Sequence, residues 1–185
     1  MKTKTLELKK AKHDQLNEIT AVYLKSKKDL DDKRLLQWDE NYPNREYFEE
    51  QIGYGDLYCL YTDGELSGAV TLNTWQSPEW GRIPWENDEE LVVHALFLDP
   101  SKQGKGLGTR FLQKCEEYAL DHGYLSVRLD AYAGNEGANS LYEKLGYSYR
   151  GSVSFTSKPE GHQEYRCYEK SLSQDGEHGK RAGLN

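Results

Sequence analysis

Leu91-Val92-Val93-His94-Ala95-Leu96-Phe97-Leu98, followed by Asp99-Pro100-Ser101-Lys102-Gln103-Gly104-Lys105-Gly106-Leu107-Gly108, is the stretch on which the fold turns. Its first eight residues are mostly apolar, with two valines and an aromatic, and read as a largely buried strand. Asp99-Pro100 ends that strand, because proline donates no ladder hydrogen bond and restricts the residue before it. Beyond the glycines, Phe111, Leu112, Cys115, Tyr118 and Ala119 recur three or four apart and predict a helix. Gly123 stands where that helix needs a left-handed stop. Residues 126–132 alternate Val127, Leu129 and Ala131 with Arg128 and Asp130, the period of a second strand. The unit is strand, glycine loop, helix, strand.

Three glycines within five residues let a backbone turn its amides outward and let a ligand approach without side-chain obstruction. Those amides run into the free N–H groups of a helix N-terminus, where the macrodipole favours an anion. Lys102, Lys105 and Arg110 add positive charge in a chain whose net charge is −7. Both a phosphate site and a plain glycine-rich turn with solvated lysines fit these residues. Spacing excludes two phosphate loops. A dinucleotide fingerprint needs Gly-x-Gly-x-x-Gly, but residue 109 is Thr; a Walker loop needs Gly-Lys-[Ser/Thr], but Gly106 follows Lys105.

What fits is Gln-x-x-Gly-x-Gly, met by Gln103, Gly106 and Gly108. Further on, Asn135-Glu136-Gly137-Ala138-Asn139-Ser140-Leu141-Tyr142-Glu143-Lys144-Leu145-Gly146-Tyr147 meets Asn-x-x-Ala-x-x-Leu-Tyr followed by Gly-[Phe/Tyr]. Taken bottom-up, Asn135 suits an N-cap, Ala138, Leu141, Tyr142 and Leu145 form a helical stripe, and Gly146 ends it. The two motifs, in this order, resemble the GNAT superfamily of acetyl-coenzyme A-dependent N-acetyltransferases. The resemblance covers residues 91–155 well and the rest by general layout.

The remaining chain predicts a short edge strand at 6–9 and a helix capped by Asp14, with Leu16, Ile19, Val22 and Tyr23 on one face. A charged stretch at 25–34 follows. Leu35, Leu36 and Trp38 suggest a second helical segment, and Pro43-Asn44 begins a third that turns Tyr47, Phe48 and Ile52 inward. Strands at 57–62 and 66–74 meet at the hairpin signal Asp63-Gly64. Residues 76–90 form a long connection rich in tryptophan and acid, and such connections often carry function. Residues 148–154 and 165–172 read as a closing antiparallel pair. The order implies an α/β fold: a mixed, mostly antiparallel sheet with a central parallel strand–helix–strand unit and helices on both faces. Residues 1–172 are expected to form one domain and 173–185 a disordered tail.

At 36% hydrophobic and 30% charged, the 185 residues can bury a core without staples. No apolar run approaches the length of a membrane span, and the N-terminus carries no secretion-type segment. Three widely spaced cysteines suggest neither a disulfide framework nor a metal site, so a cytoplasmic setting is expected. The acidic balance and the lack of a long basic run disfavour nucleic acid.

The resemblance implies that strands 91–98 and 126–132 splay and take the pantetheine of acetyl-coenzyme A between them. It assigns coenzyme contacts to Leu96, Phe97 and Leu98, to Gln103, Gly104, Lys105, Gly106, Leu107, Gly108 and Thr109, and to Asn135. Tyr142 matches the tyrosine placed near the coenzyme sulfur and able to act as general acid. The base is open between Glu90 and His94, each with a plain structural role as its alternative. Trp38, Tyr42, Trp75, Trp80 and Trp85, among many carboxylates, would form the acceptor cleft and suit a cationic amine; the alternative is that they pack helices onto the sheet. The implied reaction is direct acetyl transfer to a primary amine, with no metal; the alternative is a silent acyl-coenzyme A sensor on the same scaffold. A small-molecule acceptor, no membrane or nucleic-acid partner, and a homodimer as an open option complete the expectation.

Overall fold

The computed structural model describes residues 5–172 apart from Gln103 and Lys105, so the expectations for those two residues and for 173–185 fall outside the described residues. Eleven regular elements follow one another: β1 (Leu6–Lys10), α1 (Leu16–Asp32), α2 (Arg45–Tyr54), β2 (Leu57–Thr62), β3 (Glu65–Asn73), β4 (Glu90–Leu98), α3 (Leu107–Asp121), β5 (Ser126–Tyr132), α4 (Glu136–Lys144), β6 (Ser148–Ser154) and β7 (Glu164–Ser171). The strands form one seven-stranded mixed sheet in the order β1-β2-β3-β4-β5-β7-β6. Among the described residues only β4 and β5 are parallel neighbours.

Local chemistry explains most boundaries. The Asn44 side chain accepts from the Tyr47 N–H at 2.8 Å and starts α2, and Gly55, in the left-handed region, ends it. α1 differs from expectation at both ends. Asp14 is not its cap: a short 3-10 turn at His13–Gln15 comes first, and Gln15 reaches back to the Lys12 N–H at 2.9 Å. The charged stretch continues the helix to Asp32, because Lys27–Asp31, Lys28–Asp32 and Lys33–Asp29 pair across one turn. The segment expected around Leu35 and Trp38 forms no helix; residues 35–44 are irregular.

Helices cover both faces. On one, Phe111, Leu112 and Cys115 of α3 pack on Leu91, Val93, Val127 and Leu129. On the other, Ile19 and Tyr23 of α1 and Phe48 of α2 pack on Cys59, Ala69 and Phe97. Beside that second core, Trp80 and Ile83 of the β3–β4 connection bury against Val92, Val153, Tyr165 and Cys167. The connection is fastened from below. Arg128 donates to Gln76 Oε1 at 3.0 Å and the Asn87 carbonyl at 2.6 Å, with its guanidinium 4.5 Å from the Trp85 ring. The carboxylate of buried Glu169 accepts from the N–H groups of Glu86 (2.7 Å) and Asn87 (3.2 Å) and from Arg150 Nε (2.6 Å).

Candidate active site

β4 and β5 pair only from Glu90–Ser126 to Val92–Arg128; beyond that point they part. One cause lies in β4 itself. Between the pairs Thr71–His94 and Ala69–Phe97 the strand holds one residue more than β3 does, and Ala95 takes a φ of 48°. Such a bulge bends and twists a strand. β3 meets it with Gly68, where a Cβ would lie 2.2 Å from the Phe97 carbonyl oxygen. The split opens into a cavity of about 960 Å³ whose walls come from β4, β5, α4, α2, the 35–44 segment and the β3–β4 connection.

At the carboxyl end of the split stands the N-terminus of α3. Gly104 and Gly106 have φ values of 84° and 72°, and a Cβ on either would meet nothing within 4 Å. The loop therefore presents bare backbone to open space beside the free amides of a helix end, and this fits a pyrophosphate. Gly108 plays another part: its Cβ position faces Leu141 and Leu98 at 3.5 and 3.8 Å, so it lets α3 approach α4 and β4. Leu107 and Leu98 are buried in the α3 core and Phe97 in the α1–α2 core, whereas Leu96 lines the cavity. What Leu96, Phe97 and Leu98 offer a ligand is the backbone of a strand no longer paired with β5.

Asn135 takes the N-cap role and also lines the cavity. Its Oδ1 accepts from the Ala138 N–H at 3.1 Å and caps α4, and its side chain lines the cavity. Its Nδ2 donates to Gln37 Oε1 at 3.0 Å, a contact across 98 residues that the motif did not foreshadow. Tyr142 also lines the cavity, its ring 5.8 Å from Tyr168 and 6.0 Å from Tyr147. Burial, with Asp130 nearby, pushes its hydroxyl well above the ordinary tyrosine range.

The two base candidates separate. His94 is on the wall, with Nε2 2.8 Å from Asn73 Oδ1, and burial lowers its pKa to about 4, against a smaller opposing effect of the Trp75 backbone. Glu90 does not line the cavity. It sits at the paired end of the strands, accepting from Gln76 Nε2 at 2.6 Å and lying 3.3 Å from Arg128 Nη1. Four residues of strand put it about 13 Å from His94. Of the five aromatics expected in the acceptor cleft, Trp38, Tyr42, Trp75 and Trp80 line the cavity; Trp85 packs behind them on Trp80 and Arg128.

Asp130, Lys158 and Gln37 are among the lining residues that the sequence reading did not mark as site residues. Asp130 of β5 accepts from Trp80 Nε1 at 3.0 Å, and burial raises its pKa to about 6 in spite of that bond and the nearby Lys158. Lys158 donates to the Gln37 carbonyl at 3.1 Å and stands 4.7 Å over the Tyr42 ring; burial lowers its pKa. Gln37 ties the 35–44 segment down, its carbonyl also accepting from the Tyr165 hydroxyl at 3.1 Å. The only earlier signal for Asp130 was a carboxylate in an alternating strand, which ordinarily faces solvent.

The sequence matches the Acetyltransferase (GNAT) family over residues 16–147. It is 27% identical over 147 residues to an uncharacterized N-acetyltransferase, YesJ, of Bacillus subtilis, covering 77% of this chain and 81% of that one. In fold it resembles a GNAT-family acetyltransferase of Streptococcus agalactiae, with TM-score 0.77, 20% identity and coverage of 90% and 95%. It is also similar to the PaiA N-acetyltransferase of Thermoplasma acidophilum, solved with coenzyme A, with TM-score 0.66, 18% identity and coverage of 90% and 99%.

Proposed function

The chain belongs to the GNAT acetyltransferase family and is an acetyl-coenzyme A-dependent acyltransferase, and from that premise we propose that it acetylates a primary amine of a small cationic acceptor, directly and within a ternary complex. One observation carries the acceptor assignment. Among the described residues the cavity is lined by the carboxylates of Glu50, Asp56, Glu79 and Asp130 and by a single ammonium, Lys158. That ammonium is engaged by the Gln37 carbonyl and the Tyr42 ring. Such walls, with Trp38, Trp75 and Trp80 among them, favour a cation through charge and ring-face contacts.

Acetyl-coenzyme A, when bound, supplies the thioester whose acetyl carbon the amine attacks. Gly104, Gly106 and the first-turn amides of α3, including Gly108 and Thr109, are suited to hold its pyrophosphate; Gln103 and Lys105 join them by the family motif. The released edge of β4 at Leu96, Phe97 and Leu98 offers amides to the pantetheine and the carbonyl oxygen, where charge develops. Asn135 steadies the pantetheine arm. Tyr142, kept protonated by burial, donates to the departing sulfur. His94 stays neutral near pH 7 and orients the acceptor side through Asn73. The three cysteines are buried and free, and a ternary complex needs no protein nucleophile. The test is a panel of amines with acetyl-coenzyme A, reading free thiol. Release with cationic amines supports the proposal; tight coenzyme binding with no release from any amine replaces it by the sensor alternative.

A further inference from the structure

Resting on that reading, we propose that Asp130 is the residue that receives the acceptor's ammonium and takes its first proton. The last matched pair of β4 and β5 is Val92–Arg128. Two residues further along each strand, on the same face of the sheet as that pair, come His94 and Asp130, where the strands have already parted. The bulge at Ala95 begins only after His94. Both groups line the cavity. Trp80 Nε1 engages Asp130 Oδ2 and no other hydrogen bond to that carboxylate is found among the described residues, which leaves Oδ1 for a ligand. No lysine or arginine comes within ion-pair distance of Asp130 among the described residues.

The groups that interact with it from the packed elements are Tyr142 of α4, Tyr165 and Cys167 of β7, Tyr42 of the 35–44 segment and Lys158 of the β6–β7 connection, and His94 of β4 lines the same cavity. Only Lys158 is cationic, and it acts from beyond contact. A carboxylate held this way is a base that works just below neutrality. The substrate ammonium gives one proton to the Asp130 carboxylate, leaving a neutral amine and a carboxylic acid that returns the proton to solvent. The nitrogen lone pair forms the C–N bond as the C–S bond breaks. Tyr142 gives its proton to the sulfur and regains one as the nitrogen sheds its second.

The same burial has a consequence for stability. The folded-state pKa lies above the ordinary 3.8, so the folded protein binds the extra proton between about pH 4 and 6 and stability falls as pH rises through that window. Asp130→Asn removes a buried charge while keeping an acceptor for Trp80, so it should melt no lower than the parent at pH 8.

The test has two arms. In the first, the protein carries ¹³C at its aspartate carboxyl carbons and Asp130 is titrated by NMR with and without 1,4-diaminobutane or 2-phenylethylamine. A bound ammonium should lower the Asp130 midpoint by a unit or more; no movement with either amine overturns the proposal. In the second, kcat/KM for the best amine of the panel should fall about 10²–10⁴-fold in Asp130→Asn, while coenzyme A affinity by calorimetry changes less than twofold. The parent's acidic limb near pH 6 should vanish in the variant. Transfer that persists in Asp130→Asn at parental kcat/KM, with the limb intact, overturns the assignment and leaves the transferase reading standing. A lowered midpoint in a protein that releases no thiol does the reverse. If Asp130→Asn fails to fold, the titration of the unmodified protein decides alone.

Discussion

Glu169→Leu tests how the acceptor wall is held. In the native protein Glu169 is 1% exposed and its carboxylate accepts three hydrogen bonds, from the Glu86 and Asn87 backbones and Arg150 Nε. Leucine leaves two backbone N–H groups of the β3–β4 connection without an acceptor, at roughly 1–3 kcal/mol each. Arg150 keeps the Glu86 carboxylate at 2.8 Å, and Arg128 keeps Glu90 at 3.3 Å, so neither cation is stranded. Burying the apolar leucine recovers on the order of 1–2 kcal/mol. The net loss should be about 2–4 kcal/mol, which for a chain of this size is a fall in Tm of roughly 5–15 °C. Urea and thermal unfolding at pH 7.5 measure it. Burial alone would raise the Glu169 pKa, but the Glu86, Asn87 and Arg150 bonds outweigh burial and hold it below the ordinary value. Its share of stability is therefore full above the unfolded carboxyl range and lost as pH falls through the lower, folded value. The parent's advantage over Glu169→Leu should shrink on acidification. A variant within about 0.5 kcal/mol of the parent at pH 7.5, or an advantage that grows in acid, refutes the reasoning.

Tyr142→Phe should lower turnover about 10²–10⁴-fold with coenzyme affinity and Tm near the parent's; full activity makes the tyrosine a packing residue. Gly106→Ala should cost roughly 1–2 kcal/mol, because the new Cβ meets no neighbour but φ is 72°. Its coenzyme affinity should drop at least tenfold in calorimetry, and unchanged affinity removes the loop from the phosphate site. Truncation after Leu172 should leave Tm within a degree or two, and a larger fall means that residues 173–185 contribute to the fold.

The strand, loop, helix and strand from Leu91 to Tyr132 were legible because each boundary carries its own chemistry: Pro100, the glycines, Gly123 and a period that switches from helix to strand. The start of α2 at Pro43-Asn44 was legible for the same reason. Charge hid the length of α1, whose last turns are held by ion pairs between neighbouring turns rather than by an apolar stripe. Glu90 looked close to His94 in sequence, but an extended chain spends those four residues on distance. Asp130 was illegible as a site residue. Alternation marks it as outward, and only the Trp80 connection, folded back over that face and fastened through Arg128 and Glu169, makes outward mean enclosed.

The side-chain amide of Asn135 stands where the cavity meets the 35–44 segment. One of its hydrogens goes to Gln37, whose own carbonyl is gripped by Lys158 and Tyr165, so a single side chain links the start of α4 to the strap of residues 35–44. An occupant of the split that draws on this amide alters the strap's hold. Reciprocity then requires an acceptor braced against the strap to change that occupant's affinity by the same factor. On the reading proposed above, the affinities of the two substrates are linked through this one carboxamide.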